Sequence, residues 1–340
     1  MITDDMARKA AEIIIAGGLV AFPTETVYGL GADAFNPSAL AKIFEVKKRP
    51  RFDPLIIHIA DRGSLPEIAD IAALTQTARK QADALCRKAW PGPLTLILPK
   101  VSAVPDLATS GLPTVAVRFP DHPVAQKLIR LSARAIAAPS ANPFGYLSPT
   151  TAEHVREQLG NQVDLILDGG PALIGVESTV LDLTDGVPLI LRPGGTPKEY
   201  IEAVIGRAVS SGSAKETPVS PGQLKSHYAP RIPLILHENR GITAPYSPSE
   251  AYLFFNGQSR KNWLNAQNIP LNAENPRIQV LSETGNLAEA AANLFTLLHA
   301  LDNLPVSAIH AERVPEQGLG NAVNDRLFRA GNRFTFSFRV

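Results

Sequence analysis

Lys-Lys-Arg-Pro-Arg, residues 47–51, sets four cations in five positions of a chain whose net charge is only +1. Such a cluster serves a phosphate ligand, a nucleic-acid backbone or solvent alone. On an extended segment, side chains alternate, so Lys47, Arg49 and Arg51 would share one face and Lys48 the other. Three cations on one face can neutralise a polyphosphate, and arginine adds bidentate geometry. Further on, Ala-Ala-Pro-Ser-Ala-Asn at 137–142 places Ser140 and Asn142 two residues apart after a run of small side chains. Both can donate to phosphate or carboxylate oxygens, and both are also ordinary turn residues.

Other polar groups recur at the ends of apolar runs. Thr24, Glu25, Thr26 and Tyr28 precede Gly29 and Gly31, as at a pocket rim. Arg118 closes the apolar stretch Val-Ala-Val, and a buried arginine needs a carboxylate from the fold or from a ligand. His58 lies inside Leu-Ile-Ile-His-Ile, where a satisfied core histidine is the commoner case. Glu177, Ser178 and Thr179 open a strand, and Arg192 stands beside Gly194-Gly195, a pair that could form an anion nest. There is no Walker A loop, strand-linked GxGxxG, HExxH or GxSxG, and the seven histidines show no metal-ligand spacing. With no nucleophile–base pair adjacent in sequence, cations and hydrogen-bond donors suit phosphoryl or adenylyl transfer, where positioning and charge stabilisation dominate.

Periodicity gives the elements that must position these groups. Residues 4–16 predict an amphipathic helix with Met6, Ala10, Ile13 and Ile14 on one face, stopped by Gly17-Gly18. Asn36-Pro37 predicts a capped helix, and Thr150-x-x-Glu153 a capping box. Short apolar runs at 19–22, 55–60, 94–100, 114–120, 135–138, 163–168, 178–184 and 188–192 predict strands. The mixture implies an α+β or mixed α/β domain to about residue 208. Residues 210–230 are rich in Ser, Pro and Gly and have a linker's composition. Four later apolar strands, separated by turns and by a helix around 287–301, imply a small parallel-sheet domain.

With 340 residues, two domains can each bury a core. The near-neutral charge supplies no global field toward nucleic acid or membrane. The lone Cys86 rules out an intramolecular disulfide and any zinc site built on paired cysteines. The first residues lack the pattern of a signal peptide, and no apolar run approaches a membrane span.

Taken in order, FPTETVYGLGADA, KKRPRFDPLIIHI, WPGPLTLIL, VAVRFP, APSAN and GVESTV…ILRPGG resemble the YrdC/Sua5 family over about residues 8–205. SPGQLKSHYAP and GLGNAVNDRLFRA are similar to the linker and C-terminal domain of the longer Sua5 type. The resemblance implies a YrdC-like α/β (α+β) domain with a twisted mixed sheet at 1–208, a linker or lid at 209–230, and a smaller Rossmann-like α/β domain at 231–340. It implies a cytoplasmic, monomeric threonylcarbamoyl-AMP synthase using ATP with Mg²⁺, L-threonine and bicarbonate. Its product would feed threonylcarbamoyladenosine formation in tRNA on a separate transferase complex.

The resemblance also implies site roles. Lys47, Arg49, Ser140 and Asn142 match the catalytic tetrad. Arg49, Asp53, Thr114, Ser140, Ser148, Arg192 and Tyr228 match the ATP side. Thr26, His58, Arg118, Ala138 and Ser178 match the threonine side, with Arg118 on the threonine carboxylate. Asp53 departs from the family's usual Asn; it would meet a ribose hydroxyl or Mg²⁺, or pair with Arg49 or Arg51. A rival reading is an RNA-binding protein without catalysis, with Lys48 and Arg51 on a basic concave face.

Overall fold

Thr3 accepts the amide of Met6 and starts α1 (Asp4–Ile15), whose buried residues are Ala7, Ala10, Ala11 and Ile14. These follow the i, i+3, i+4, i+7 pattern of one helix face. Met6, expected on that face, is 38% exposed, and alanines let the helix approach closely instead. The computed structural model describes residues 2–212, 227–238, 241–270 and 275–335.

After α1 the chain forms β1 (Val20–Phe22), β2 (Gly29–Asp33), α2 (Pro37–Lys47), β3 (Ile56–His58), α3 (Gln76–Lys88), β4 (Leu94–Pro99), α4 (Asp106–Thr109) and β5 (Thr114–Arg118). It continues with α5 (Pro123–Ser132), β6 (Ile136–Ala137), α6 (Ala152–Leu159), β7 (Leu165–Ile166), β8 (Thr179–Asp182), β9 (Leu189–Arg192), α7 (Lys198–Ile205) and β10 (Ser210–Ser211). The strands make one mixed sheet in the order β10-β9-β8-β4-β5-β3-β6-β2-β1-β7. β2 falls where the sequence reads as turn-rich. Its glycines permit close packing: a Cβ on Gly29 would lie 3.3 Å from that of Ala138.

Two helix starts were legible to different degrees. Asn36 caps α2 through the amides of Ser38 and Ala39, with Pro37 in the first turn, as the sequence predicts. At α6 the cap is Thr151, not Thr150: Thr151 accepts the amide of His154. The amide and hydroxyl of Thr150 face the His154 ring instead.

The sheet presents two different faces around β5. β5 runs antiparallel to β4 and parallel to β3, with His58 opposite Arg118 and Thr95 opposite Arg118 on the other side. Alternation puts Val115 and Val117 on one face, in the main core. Thr114, Ala116 and Arg118 take the other. There Ala116 joins Ile56, Ile97, Val180 and Leu191 in a separate apolar cluster.

The second unit holds a parallel sheet of β11 (Leu234–His237), β12 (Glu250–Asn256), β13 (Ile278–Ser282) and β14 (Ala308–Glu312), ordered β11-β14-β12-β13. Its helices are α8 (Gly257–Ala266), α9 (Leu287–Asp302) and α10 (Gly320–Thr335). Tyr252 and Phe254 of β12 meet Trp263 of α8 at ring-centroid distances of 4.5 and 5.4 Å. This is the small α/β domain expected after the linker. In that linker, Ser210–Ser211 pairs with β9 as a strand, and residues 213–226 lie outside those described.

Spatially the first unit comprises Met1–Phe144, Ser148–Leu173 and Glu177–Gln223; the second comprises Gly145–Leu147, Ile174–Val176 and Leu224–Val340. Within the second unit, the carboxylate of Asp302 accepts the amides of Arg231 (2.8 Å) and Ile232 (3.1 Å). It also accepts the Arg231 guanidinium (3.0 Å) and the Tyr146 hydroxyl. Asp302→Ala strands these donors and is expected to cost about 3 kcal/mol. A urea denaturation midpoint close to that of the parent chain would count against this role.

Candidate active site

The basic stretch is not extended. Lys47 ends α2, and Lys48 takes the left-handed conformation (φ 51°) that closes it. The turn sends Lys47 and Arg49 inward, 1% and 7% exposed, and leaves Lys48 and Arg51 in solvent. Arg51 therefore does not share the face expected of it, because the helix cap breaks the strand-like alternation.

The Lys47 ammonium donates to the carbonyl oxygens of Ser140 (2.5 Å) and Asn142. Phe144 in turn donates its amide to the Lys47 carbonyl at 2.8 Å. Burial, and then the neighbouring Arg49, push the Lys47 pKa well below the ordinary lysine range. Arg49 donates to the carbonyls of Asp53 (3.0 Å) and Pro54 (2.8 Å) and pairs with the Asp53 carboxylate at 2.9 Å. Of the two arginines open to Asp53, the structure pairs it with Arg49. Burial raises the Asp53 pKa, while Arg49, Lys47 and Arg192 pull it back down.

Arg192 also lies next to Ser178. Its Nε and Nη2 donate to the Ser178 carbonyl at 3.2 and 2.9 Å, and Nη2 to the hydroxyl at 3.2 Å. The Ser178 hydroxyl meets that of Thr95 at 2.7 Å. Thr95 faces Arg118 across β4 and β5. Ser148 donates its hydroxyl to Glu177. In the Gly194-Gly195 pair, the Gly195 amide is spent on the Glu177 carbonyl at 2.9 Å. A Cβ on Gly194 would fall 2.3–2.4 Å from the backbone of Glu177 to Thr179. These glycines bring Arg192 and Ser178 together.

At the far end of β5, Arg118 is 4% exposed and donates from Nε to the Gly92 carbonyl at 3.3 Å. Its Nη2 lies 2.7 Å from Oε1 of Glu25. The fold itself therefore supplies a carboxylate for Arg118. His58 lies alongside on β3; its Nδ1 meets the Ile56 carbonyl at 3.1 Å. Burial, then Arg118, lower the His58 pKa to about 3, so the ring stays neutral near pH 7. Thr26 is buried, its hydroxyl 2.8 Å from that of Thr24. Ala138 donates its amide to Ile56 at 2.9 Å.

The expected residues thus fall into two groups. Thr114 begins β5 and Arg118 ends it, about 13 Å away at strand rise. Because β3 is parallel to β5, the chain from Ile56 back to Arg49 and Asp53 runs toward the Thr114 end. His58 and Arg118 mark the other end. Tyr228 belongs to the second unit. It is 1% exposed, with the Arg326 guanidinium 4.8 Å above its ring and Phe295 at 5.9 Å. Sequence reasoning gave no role to Thr95 or Gly92 and treated Glu25 only as rim. Thr95, a hydroxyl between leucines in a strand, carried the detectable signal.

A mixed α/β sheet with buried cations at the end of α2 and a buried arginine at the end of β5 is a class of fold with sites for anionic groups. A family model described as Telomere recombination, of the Sua5/YciO/YrdC group, matches residues 12–194. A second, the threonylcarbamoyl-AMP synthase C-terminal domain, matches residues 196–332. The threonylcarbamoyl-AMP synthase of Pyrococcus abyssi is 44% identical over 327 residues, spanning 95% of this chain and 93% of its own. That of Bacillus subtilis is 44% identical over 331 residues, spanning 96% and 93%. The crystal structure of P. abyssi Sua5 complexed with L-threonine superposes with a TM-score of 0.83 at 40% identity, over 98% of this chain and 96% of that one. The chain belongs to the Sua5/YrdC family, in its two-domain Sua5 form.

The buried imidazole has a consequence for stability. Unfolded, His58 protonates near its ordinary value of 6.5; folded, it resists protonation down to about 3. Between those values the unfolded state binds the extra proton, so stability falls as pH drops from 6.5 toward 3. His58→Gln is expected to flatten part of that slope. Urea midpoints for both proteins at pH 4 and pH 7 measure it; identical slopes would contradict the assignment.

Proposed function

We propose that this chain is an L-threonylcarbamoyladenylate synthase, a nucleotidyltransferase that condenses L-threonine, bicarbonate and ATP into threonylcarbamoyl-AMP and pyrophosphate. The observation that carries the reading is the register of His58 beside Arg118 on β3 and β5, with Lys47 and Arg49 buried in the segment that leads from α2 to β3. Family membership over nearly the whole chain supports it. The P. abyssi relative complexed with L-threonine supports threonine as the amino acid.

The chemistry assigns work to each end. The threonine ammonium gives up a proton to solvent, the resulting amine adds to the bicarbonate carbon, and loss of water gives a carbamate. A carbamate oxygen then attacks the α-phosphorus, the bond to the bridging oxygen breaks, and pyrophosphate leaves. In this reading Arg118 takes the threonine carboxylate, and Thr26, His58, Ala138 and Ser178 shape its pocket. Arg49 and Arg192 stabilise the charge that grows on the phosphate oxygens. Lys47 spends two N–H groups holding Ser140 and Asn142 and has a third for the transferred group. Thr114 and Ser148 complete the nucleotide side within the first unit.

Magnesium would arrive on the ATP phosphates, where it neutralises charge. Asp53, buried with neither carboxylate oxygen hydrogen-bonded, is the side chain suited to touch it. The adenylate would pass to a transferase that modifies tRNA, which fits a cytoplasmic monomer; no helix among the described residues is long and apolar enough to cross a membrane. The RNA-binding reading keeps Lys48 and Arg51 in solvent, as it requires, but it is less favoured because the relatives that match nearly the whole chain are threonylcarbamoyl-AMP synthases.

Pyrophosphate release from ATP is expected to require both L-threonine and bicarbonate. Release that ignores threonine would overturn the assignment. Arg49→Ala is expected to lower kcat roughly 100-fold or more. Arg118→Ala is expected to raise KM for threonine at least about tenfold more than KM for ATP; equal effects would make Arg118 structural.

A further inference from the structure

Glu25 is a buried carboxylate that the reaction as described leaves without a task. It sits between Thr24 and Thr26, is 4% exposed, and its Oε1 lies 2.7 Å from Nη2 of Arg118. Yet neither carboxylate oxygen, nor Nη2 of Arg118, makes a hydrogen bond. An ionised carboxylate has about four acceptor positions, and leaving them empty inside a protein is costly. The contact with Arg118 is close but poorly aligned, so it does not use the acceptors it brings.

The charges nearby narrow what such an acceptor serves. Arg118 alone would attract any anion, including the phosphates that the other end of the face is built to hold. His58 is neutral near pH 7 and cannot discriminate by charge. Glu25 beside Arg118 makes the pocket dipolar, one cation and one anion in contact. A free amino acid is the complementary dipole, with carboxylate and ammonium on one carbon. A phosphate or a simple hydroxy acid offers only the anionic half, and meets the Glu25 charge as repulsion.

Building on the threonine-using reading, we infer that Glu25 is the specificity residue for the α-amino end of the substrate. Arg118 holds the carboxylate, Glu25 accepts N–H groups from the amine, and the pocket thereby selects a zwitterion over other small anions.

The test compares binding of L-threonine and 3-hydroxybutanoate, which lacks the amine, by calorimetry on the full chain. The parent protein should strongly prefer threonine. Glu25→Gln should weaken threonine binding roughly 30-fold or more while leaving 3-hydroxybutanoate unchanged or tighter. Glu25→Asp, which keeps the charge, should restore part of the preference, and unfolding midpoints for both variants check that the fold is kept. Equal losses for the two ligands would overturn the inference, because Glu25 would then only anchor Arg118. Tighter binding of both would overturn it too, because Glu25 would then compete with the substrate carboxylate. If the parent protein bound neither ligand and released pyrophosphate without threonine, the synthase reading itself would fall, whatever Glu25 does.

Discussion

The ammonium of Lys47, buried at the end of a helix and held by the carbonyls of Ser140 and Asn142, joins the two loops on which the cationic end of the site depends. Without that clamp, two carbonyls would lose a charged donor, and the loop carrying Ser140 and Asn142 would lose its reference point. The same helix end sets Arg49, because the left-handed Lys48 turns the chain inward and lets Arg49 grip the Asp53–Pro54 backbone. A lysine and an arginine at close quarters repel each other. The carbonyls and the Asp53 carboxylate offset that repulsion and leave a cationic end held by fixed backbone dipoles.

The rest of the first unit converts sheet geometry into substrate order. One face of β5 is ordinary core. The other carries a small apolar floor of Ile56, Ile97, Ala116, Val180 and Leu191, with polar groups at its ends. A dry floor between two charged ends keeps the local dielectric low, which strengthens each charge contact made above it. Arg192 is the link: it fastens Ser178 by three hydrogen-bond contacts and, after Arg49 and Lys47, tempers the rise that burial imposes on the Asp53 pKa. The two ends are therefore electrostatically aware of each other.

Most of the elements were legible in the sequence because each carried its own local signal. Apolar β-branched runs gave the strands of both units, and Asn36-Pro37 gave a helix start by cap chemistry alone. The misses share a cause, which is tertiary contact overriding local pattern. β2 is a strand because glycines let it lie against β1 and β6, although its composition says turn. The cap at α6 moved to Thr151 because His154 engages Thr150. Residue types at the site were also legible, since hydroxyls, amides and arginines stood out against apolar strands. Their partners were not: nothing local in the sequence pairs Glu25 with Arg118, or Thr95 with Ser178, because those contacts span 93 and 83 positions.

The family models place the boundary between the two parts of the chain at residues 194–196, as if the halves were beads on a string. The spatial division is different: residues 145–147 and 174–176 belong with the C-terminal unit, although they are threaded through the sequence of the first. A protease that nicked the chain once after Gly212 would release two pieces, neither of them a whole unit. The N-terminal piece would keep two short strips of the other unit's interior, including Tyr146 without Asp302. Those six residues begin three positions beyond Asn142 and end immediately before Glu177, so a cut at the sequence boundary and a cut between the compact units are different operations on this chain.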